Sequence, residues 1–127
     1  RLIAVASLFA SLAGAAQAAD AAAGEAKFED ACGLCHSAAP GDGLGGMGPN
    51  LHDLNGRAAG TADKAFPYTA ALKDSKLVWD AATLDRFLAA PTKVAPGTRM
   101  LVAVPTQAAR DDVIAYLLSV KQAAPAK

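Results

Sequence analysis

Several things are scarce in this chain, and each shortage removes a class of function. It holds only 2 cysteines and 2 histidines. A zinc site wants four ligands, and beyond the cluster at residues 32–36 only His52 is left. Aromatics make up 6% of the residues, a thin supply for the core of a domain this long. Charge of either sign is not in excess, since 12 Lys and Arg face 12 Asp and Glu. Nothing in that balance points to nucleic acid or to an anionic membrane surface. No stretch alternates apolar and polar like a half-buried strand, and no internal repeat is present. No paired carboxylates and no nucleophile beside a base suggest a catalytic constellation.

At 127 residues the chain is about one domain. Residues 2–19 are apolar, uncharged and rich in small side chains, with Arg1 ahead of them and Ala16-Gln17-Ala18 near their end. That pattern reads as a secretory signal peptide over residues 1–18, cleaved after the A-x-A site, with the folded domain in residues 19–127. An uncleaved anchor is the alternative, but Ala and Gly dominate where Leu, Ile and Phe would serve a span better. Export places the domain in the periplasm. Removing the leader takes Arg1 with it and leaves the domain close to neutral.

The remaining pattern is helical. Residues 20–31 read as an amphipathic helix, with Gly24 and Phe28 four apart on one face. Phe28 suits the core, and Gly24 suits a close helix crossing. Residues 37–48 are loop, and Gly41-Asp42-Gly43-Leu44-Gly45-Gly46 matches G-x-G-x-x-G only by accident, for no strand precedes it and no helix follows. A short helix is expected over 68–73. Asp80 can cap a helix over 81–90, ended by Pro91. A second loop with three prolines covers 91–105, Thr106 caps a last helix over 107–120, and 123–127 is a frayed tail. The class is all-α.

The motif with most chemical content is Cys32-Gly33-Leu34-Cys35-His36. Two thiols at i and i+3 followed at once by an imidazole form the attachment pattern for c-type haem. Each thiol can form a thioether with one haem vinyl group, and the next residue is carried under the porphyrin as an iron ligand. A thioredoxin-like dithiol would need a βαβ setting that is missing. A disulfide across so short a loop would leave His36 without a role. A covalent haem would also supply the apolar mass that the side chains lack. The sixth ligand must then come from Met47, Met100, His52 or a lysine. Met100 follows the stiff turn Pro96-Gly97-Thr98-Arg99, far along the chain from His36, and its soft, neutral thioether suits low-spin iron. Met47 reads as core filler. His52 reads as a loop residue bonded locally, with a bis-His site as the alternative.

On these residues the chain resembles the class I cytochromes c of the mitochondrial cytochrome c and bacterial cytochrome c2 type. The matching positions are Cys32-Gly33-Leu34-Cys35-His36, Gly48-Pro49-Asn50-Leu51, Gly56-Arg57, Tyr68, Trp79, Pro91, Pro96-Gly97-Thr98-Arg99-Met100 and Asp112-Val113-Ile114-Ala115-Tyr116-Leu117. They run through nearly the whole domain. The resemblance implies helices wrapped around one haem c, with the first and last helices crossing so that Gly24 and Phe28 meet Val113 and Tyr116. It implies that His36 and Met100 bind iron, that the Pro49 carbonyl bonds the second His36 nitrogen, that Arg57, Tyr68 and Trp79 hold the inner haem propionate, and that Thr98 bonds the outer one. Phe87 and Leu72 depart from the family, which often has Tyr and Asn at those places. Of the lysine ring by which mitochondrial members dock, Lys27, Lys93 and Lys121 remain, so docking by strong positive steering is not expected.

The function implied is a monomeric one-electron carrier, not an enzyme. It would shuttle between membrane redox complexes, such as a cytochrome bc1-type donor and an oxidase or photosynthetic reaction-centre acceptor. The rival readings are a haem peroxidase or ligand sensor with a labile sixth ligand, and a cytochrome subunit of a larger complex. An alkaline form in which Lys93 replaces Met100 is a further implication of the resemblance.

Overall fold

The computed structural model describes residues 18–42, 46–62 and 64–121. The expected leader, the tail at 123–127 and the middle of the G-x-G-x-x-G match fall outside the described residues. Five helices follow in order: α1 (Ala21–Ala31), α2 (Ala70–Lys73), α3 (Ala81–Ala89), α4 (Pro91–Val94) and α5 (Gln107–Ser119). An isolated β-bridge joins Ala58 and Val78, the described residues form no extended strand, and the class is all-α as expected. None of the described helices is long and apolar enough to cross a membrane.

Helix α1 starts where a carboxylate can hold its free amides. Asp20 Oδ1 accepts from the N–H of Ala22 at 2.9 Å and of Ala23 at 3.2 Å, which covers donors that no helical carbonyl can reach. At the other end the N–H groups of Cys32 and Gly33 both donate to the Phe28 carbonyl, at 2.7 and 2.8 Å. The chain then tightens into a further turn, with Cys35 N and His36 N donating to Cys32 O at 3.0 and 2.9 Å. The cysteine–histidine motif therefore hangs directly on the end of α1.

Helix α5 crosses α1 at Gly24. A Cβ on Gly24 would fall onto the Asp112 carbonyl, with Tyr116 Cβ 3.0 Å away. Phe28 and Tyr116 meet with ring centroids 5.4 Å apart, and Phe28, Val113, Ile114 and Leu117 are buried. The expected crossing is present. A polar staple closes it at the edge: the Asp112 carboxylate accepts from Asp20 N at 2.8 Å and from Lys27 Nζ at 2.9 Å.

Three expectations needed correction. The loop expected over 91–105 contains α4, because Pro91 does more than end α3. It occupies the first turn of a new helix, where the missing N–H costs nothing and the fixed φ is already helical. The helix expected over 68–73 spans only Ala70–Lys73, with Tyr68 and Thr69 left in the approach to it. Thr106 stands at the N-cap of α5 but makes no capping bond. The start of α5 is held instead by Arg110, a buried residue that no sequence pattern singles out. Its guanidinium donates to Val104 O and Pro105 O, both at 2.9 Å, to Gln107 Oε1 at 2.6 Å, and to Asp85 Oδ1 on α3 at 2.7 Å. One side chain thus ties α5, its lead-in and α3 together. Asp80 caps α3 as expected, accepting from Thr83 N at 2.7 Å.

Two outcomes test this packing. Gly24→Ala gains about 1 kcal/mol of helix propensity but pushes a methyl into α5 backbone, and overpacking of that kind costs about 1–3 kcal/mol or somewhat more. Urea unfolding of the holoprotein should show a net loss of about 1–2 kcal/mol, and a gain would contradict the crossing. The second concerns pH. The amide of Asp20, and then Lys27, hold the Asp112 carboxyl below its usual range. A carboxyl depressed on folding adds stability above its unfolded pKa of about 3.9 and loses it as pH falls through the lower folded value. Asp112→Asn should therefore be less stable than wild type at neutral pH, with the gap narrowing below about pH 4. A gap that is constant with pH would rule out this linkage.

Candidate functional site

The turn after α1 presents its thiols and imidazole to one wall of a cavity of about 610 Å³, in the range of cofactor and ligand sites. Cys32, Cys35 and His36 line it, and so do Pro49, Arg57, Tyr68, Trp79, Thr98 and Met100. Every residue singled out from the sequence for this site is brought to the same space, although they are scattered over residues 32–100. The two thiols are not joined to each other. Burial, and then the neighbouring Cys35, push the Cys32 thiol up. Among the described residues no three His, Cys, Asp or Glu side chains form a metal cluster.

The His36 ring is fixed from two sides. Nδ1 lies 2.8 Å from the Pro49 carbonyl oxygen and donates to it, which leaves Nε2 as the free lone pair. Burial lowers the pKa of this imidazole, partly offset by the bond to Pro49, so the neutral form able to bind a metal is favoured. Gly48 is buried against the ring, and a Cβ there would overlap the imidazole. The loop is anchored by Gly48 N donating to Cys35 O at 2.7 Å and Leu51 N to Ser37 O at 2.8 Å. His52 bonds locally as expected: its Nδ1 is 2.7 Å from Asn50 Oδ1.

Met100 lines the same cavity. Thr98 is buried, and its hydroxyl accepts from Met100 N at 3.3 Å, holding the methionine at the cavity margin. Met47 also reaches the cavity but is 79% exposed, so it is not the core filler its loop position suggested.

The polar end of the cavity carries the clearest sign of a missing partner group. Arg57 donates to the backbone, Nη1 to His52 O at 2.7 Å and Nη2 to Asn50 O at 3.5 Å, while its buried Nε has no hydrogen-bond partner. The buried Thr69 hydroxyl on the same cavity wall has none either. Buried donors of this kind are costly unless a ligand satisfies them. Burial pulls the Arg57 guanidinium below its ordinary value, with Tyr68 and Asp53 acting the other way. Trp79 is locked to Arg57 through the backbone, Trp79 N donating to Arg57 O at 2.9 Å, and its ring meets Phe87 edge-on at 5.0 Å. Thr69 was not foreseen, and its place directly after Tyr68 was the only signal for it.

A ligand that fits this space has an apolar body, a carboxylate end, two positions reactive towards thiols and a centre that accepts an imidazole nitrogen. Haem meets each requirement. Phe28, Leu54, Leu84, Phe87, Leu88 and Leu117 supply the apolar walls, Arg57 and Thr69 the unpaired donors, and Cys32 and Cys35 the attachment points.

Comparison with known proteins leads the same way. No family model matches the chain. It is 42% identical over 91 residues to cytochrome c2 of Rhodoblastus acidophilus, covering 71% of this chain and 83% of that protein. It is 41% identical over 99 residues to the c-type cytochrome cy of Rhodobacter capsulatus, which covers 77% of this chain but only 48% of that longer protein. Among solved structures, cytochrome cH from Methylobacterium extorquens superposes with a TM-score of 0.68 at 40% identity, over 77% of this chain and 96% of that one.

The contact between Gly48 and the ring gives a direct test. Gly48→Ala should lower the stability of the holoprotein by about 1–3 kcal/mol, because either the ring or the loop must yield. A variant as stable as wild type in urea, with an unaltered haem spectrum, would show that the imidazole does not depend on this contact.

Proposed function

The chain belongs to the class I cytochromes c, small electron carriers with haem c attached here through Cys32 and Cys35, and on that premise we propose that it is a periplasmic carrier in which His36 and Met100 would bind the iron. Haem supplies a one-electron ferric/ferrous couple when bound; the protein's residues decide where that couple sits and how little must move when it turns over. His36 is held in one tautomer by the Pro49 carbonyl, which keeps Nε2 aimed into the cavity and raises the basicity of the ring. Met100, on the same cavity, would supply the second protein ligand. Ligation by Met and His raises the potential relative to harder ligand sets, and two protein ligands leave no open position for a substrate. The protein is accordingly a carrier and not an enzyme.

Arg57, Tyr68 and Trp79 would hold the inner propionate, Thr98 would bond the outer one, and Thr69 would add a donor to the same polar lining. Arg57 is the member whose position argues most strongly, since its unpaired Nε is buried in the cavity wall. A buried carboxylate would otherwise be costly to carry. The leader over residues 1–18 is cleaved after export, and the mature monomer shuttles between membrane redox complexes, a cytochrome bc1-type donor and an oxidase or photosynthetic reaction-centre acceptor among them.

The single observation that carries this reading is the convergence of His36, with its second nitrogen tied to Pro49, and Met100 on one cavity. Met100→Ala tests it. The expected result is a high-spin or water-ligated haem with a lower potential and new peroxidase activity. An unchanged spectrum would exclude Met100 and return the choice to His52 or a lysine. Lys93 is exposed on α4, and it is the lysine expected to replace Met100 at alkaline pH. Lys93→Ala should move that transition upward, and an unmoved transition would assign the replacement to another lysine.

A further inference from the structure

Met100 stands between two anchors of unequal build. On its N-terminal side the bonds are close at hand. Thr98 is buried, its hydroxyl accepts from Met100 N at 3.3 Å, and its own N–H donates to Ala95 O at 2.9 Å. Arg99 Nη2 donates to Pro67 O at 2.8 Å. On the C-terminal side Leu101, Val102 and Ala103 are exposed, and their backbone makes no hydrogen bond among the described residues. The chain is next caught at Val104, whose N–H donates to Leu88 O on α3 at 2.8 Å. Four residues at full extension reach at most about 14 Å, so whatever holds Val104 limits how far Met100 can leave the cavity.

Most of that hold comes from one side chain. Arg110 Nη1 donates to the carbonyls of both Val104 and Pro105 at 2.9 Å. The same guanidinium is fixed by Asp85 on α3, through Nε at 2.7 Å, and by Gln107, through Nη2 at 2.6 Å. Gln107 Nε2 in turn donates to Asp85 Oδ1 at 2.9 Å, so carboxylate, amide and guanidinium form a closed ring. Bonds to charged groups of this kind are stronger than neutral ones. Arg110 is buried, which spares it part of the screening that weakens a surface ion pair. Without this donor the Val104 and Pro105 carbonyls would turn to water, and the unbonded run after Met100 would lengthen.

We propose that Asp85 and Arg110 form a clamp that sets how readily Met100 gives up its place to an outside ligand. The inference rests on the reading of Met100 as an iron ligand. Arg110 does not line the cavity; it is a positioning residue that acts through the Val104–Pro105 backbone. The protein then exists in a closed form and a small open fraction in which Met100 has swung away. The apparent affinity for a competing ligand scales with that open fraction, and the clamp keeps the fraction small.

Titration of the ferric holoprotein with imidazole tests this, read by loss of the far-red band of iron-bound methionine. Arg110→Ala should bind imidazole about tenfold more tightly than wild type, and Asp85→Ala, which leaves the arginine its carbonyls, about threefold more tightly. Because the two residues act as one unit, the double variant should stay within about twofold of Arg110→Ala alone. Asp20→Ala removes the cap of α1 and lowers stability without touching the Met100 segment. It should bind imidazole within about twofold of wild type.

Wild-type affinity in both single clamp variants would overturn the inference, and if Arg110→Ala does not fold, Asp85→Ala decides alone. Tightening in Asp20→Ala as large as in Asp85→Ala would mean that any loss of stability frees Met100, and would overturn it too. So would a double variant whose effect is the product of the two single ones. The far-red band of the wild type tells failure of the clamp from failure of the site. If the band is absent before imidazole is added, Met100 is not a ligand and the inference falls with that reading; if it is present and the variants bind as wild type does, only the clamp fails.

Discussion

The close approach of α1 and α5 at Gly24 is the constraint on which the rest depends. With no side chain at that point, the backbone of one helix rests on the Asp112 carbonyl of the other, and the fixed crossing sets where α1 ends. Its end is the Cys32–His36 turn, so the position of the His36 imidazole is decided by packing more than two helical turns away. Phe28 and Tyr116 on one side, and the Asp20–Asp112–Lys27 staple on the other, keep the angle from drifting. The ion pair in that staple is partly exposed and contributes little by itself. The backbone contact is what cannot be moved.

Between the crossing and the last helix the chain is mostly loop, and side chains bonded to backbone do the work that secondary structure does elsewhere. Arg57 gathers the carbonyls of His52 and Asn50, Asn50 reaches Ala39 O at 3.0 Å, and Arg99 reaches Pro67 O at 2.8 Å. Arg110 performs the same service for the approach to α5. These bonds shape a cavity with an apolar body and one polar end. The apolar walls account for the small number of aromatics: a chain that encloses haem does not have to fill its own centre.

Much of this was legible in the sequence, for reasons that differ by element. The haem motif is local and its spacing is mechanical, so Cys32, Cys35 and His36 could be read directly. Gly24 and Phe28 were readable because a helical period puts them on one face. Asp80 was readable because a cap is chemistry between near neighbours. Arg110 was not, since its partners lie on α3 and on the loop before α5, and a lone arginine in a helix looks solvated. Thr69 had only its place after Tyr68 to mark it, because what distinguishes it is a buried hydroxyl without a partner, a property of the folded chain. Pro91 was read as a stop when it is also a start. The exposure of Met47 is a property of the folded chain, which no local pattern records.

The most direct test of the central claim is an absorption spectrum of the ferric protein matured in a periplasm, read for the weak far-red band of methionine bound to ferric iron. A closed site with His36 and Met100 as ligands predicts that band, lost on reduction as sharp ferrous bands appear. Covalently bound haem without the band would contradict the account: Met100 would not be a ligand, and a peroxidase or sensor with a labile sixth position would take the carrier's place.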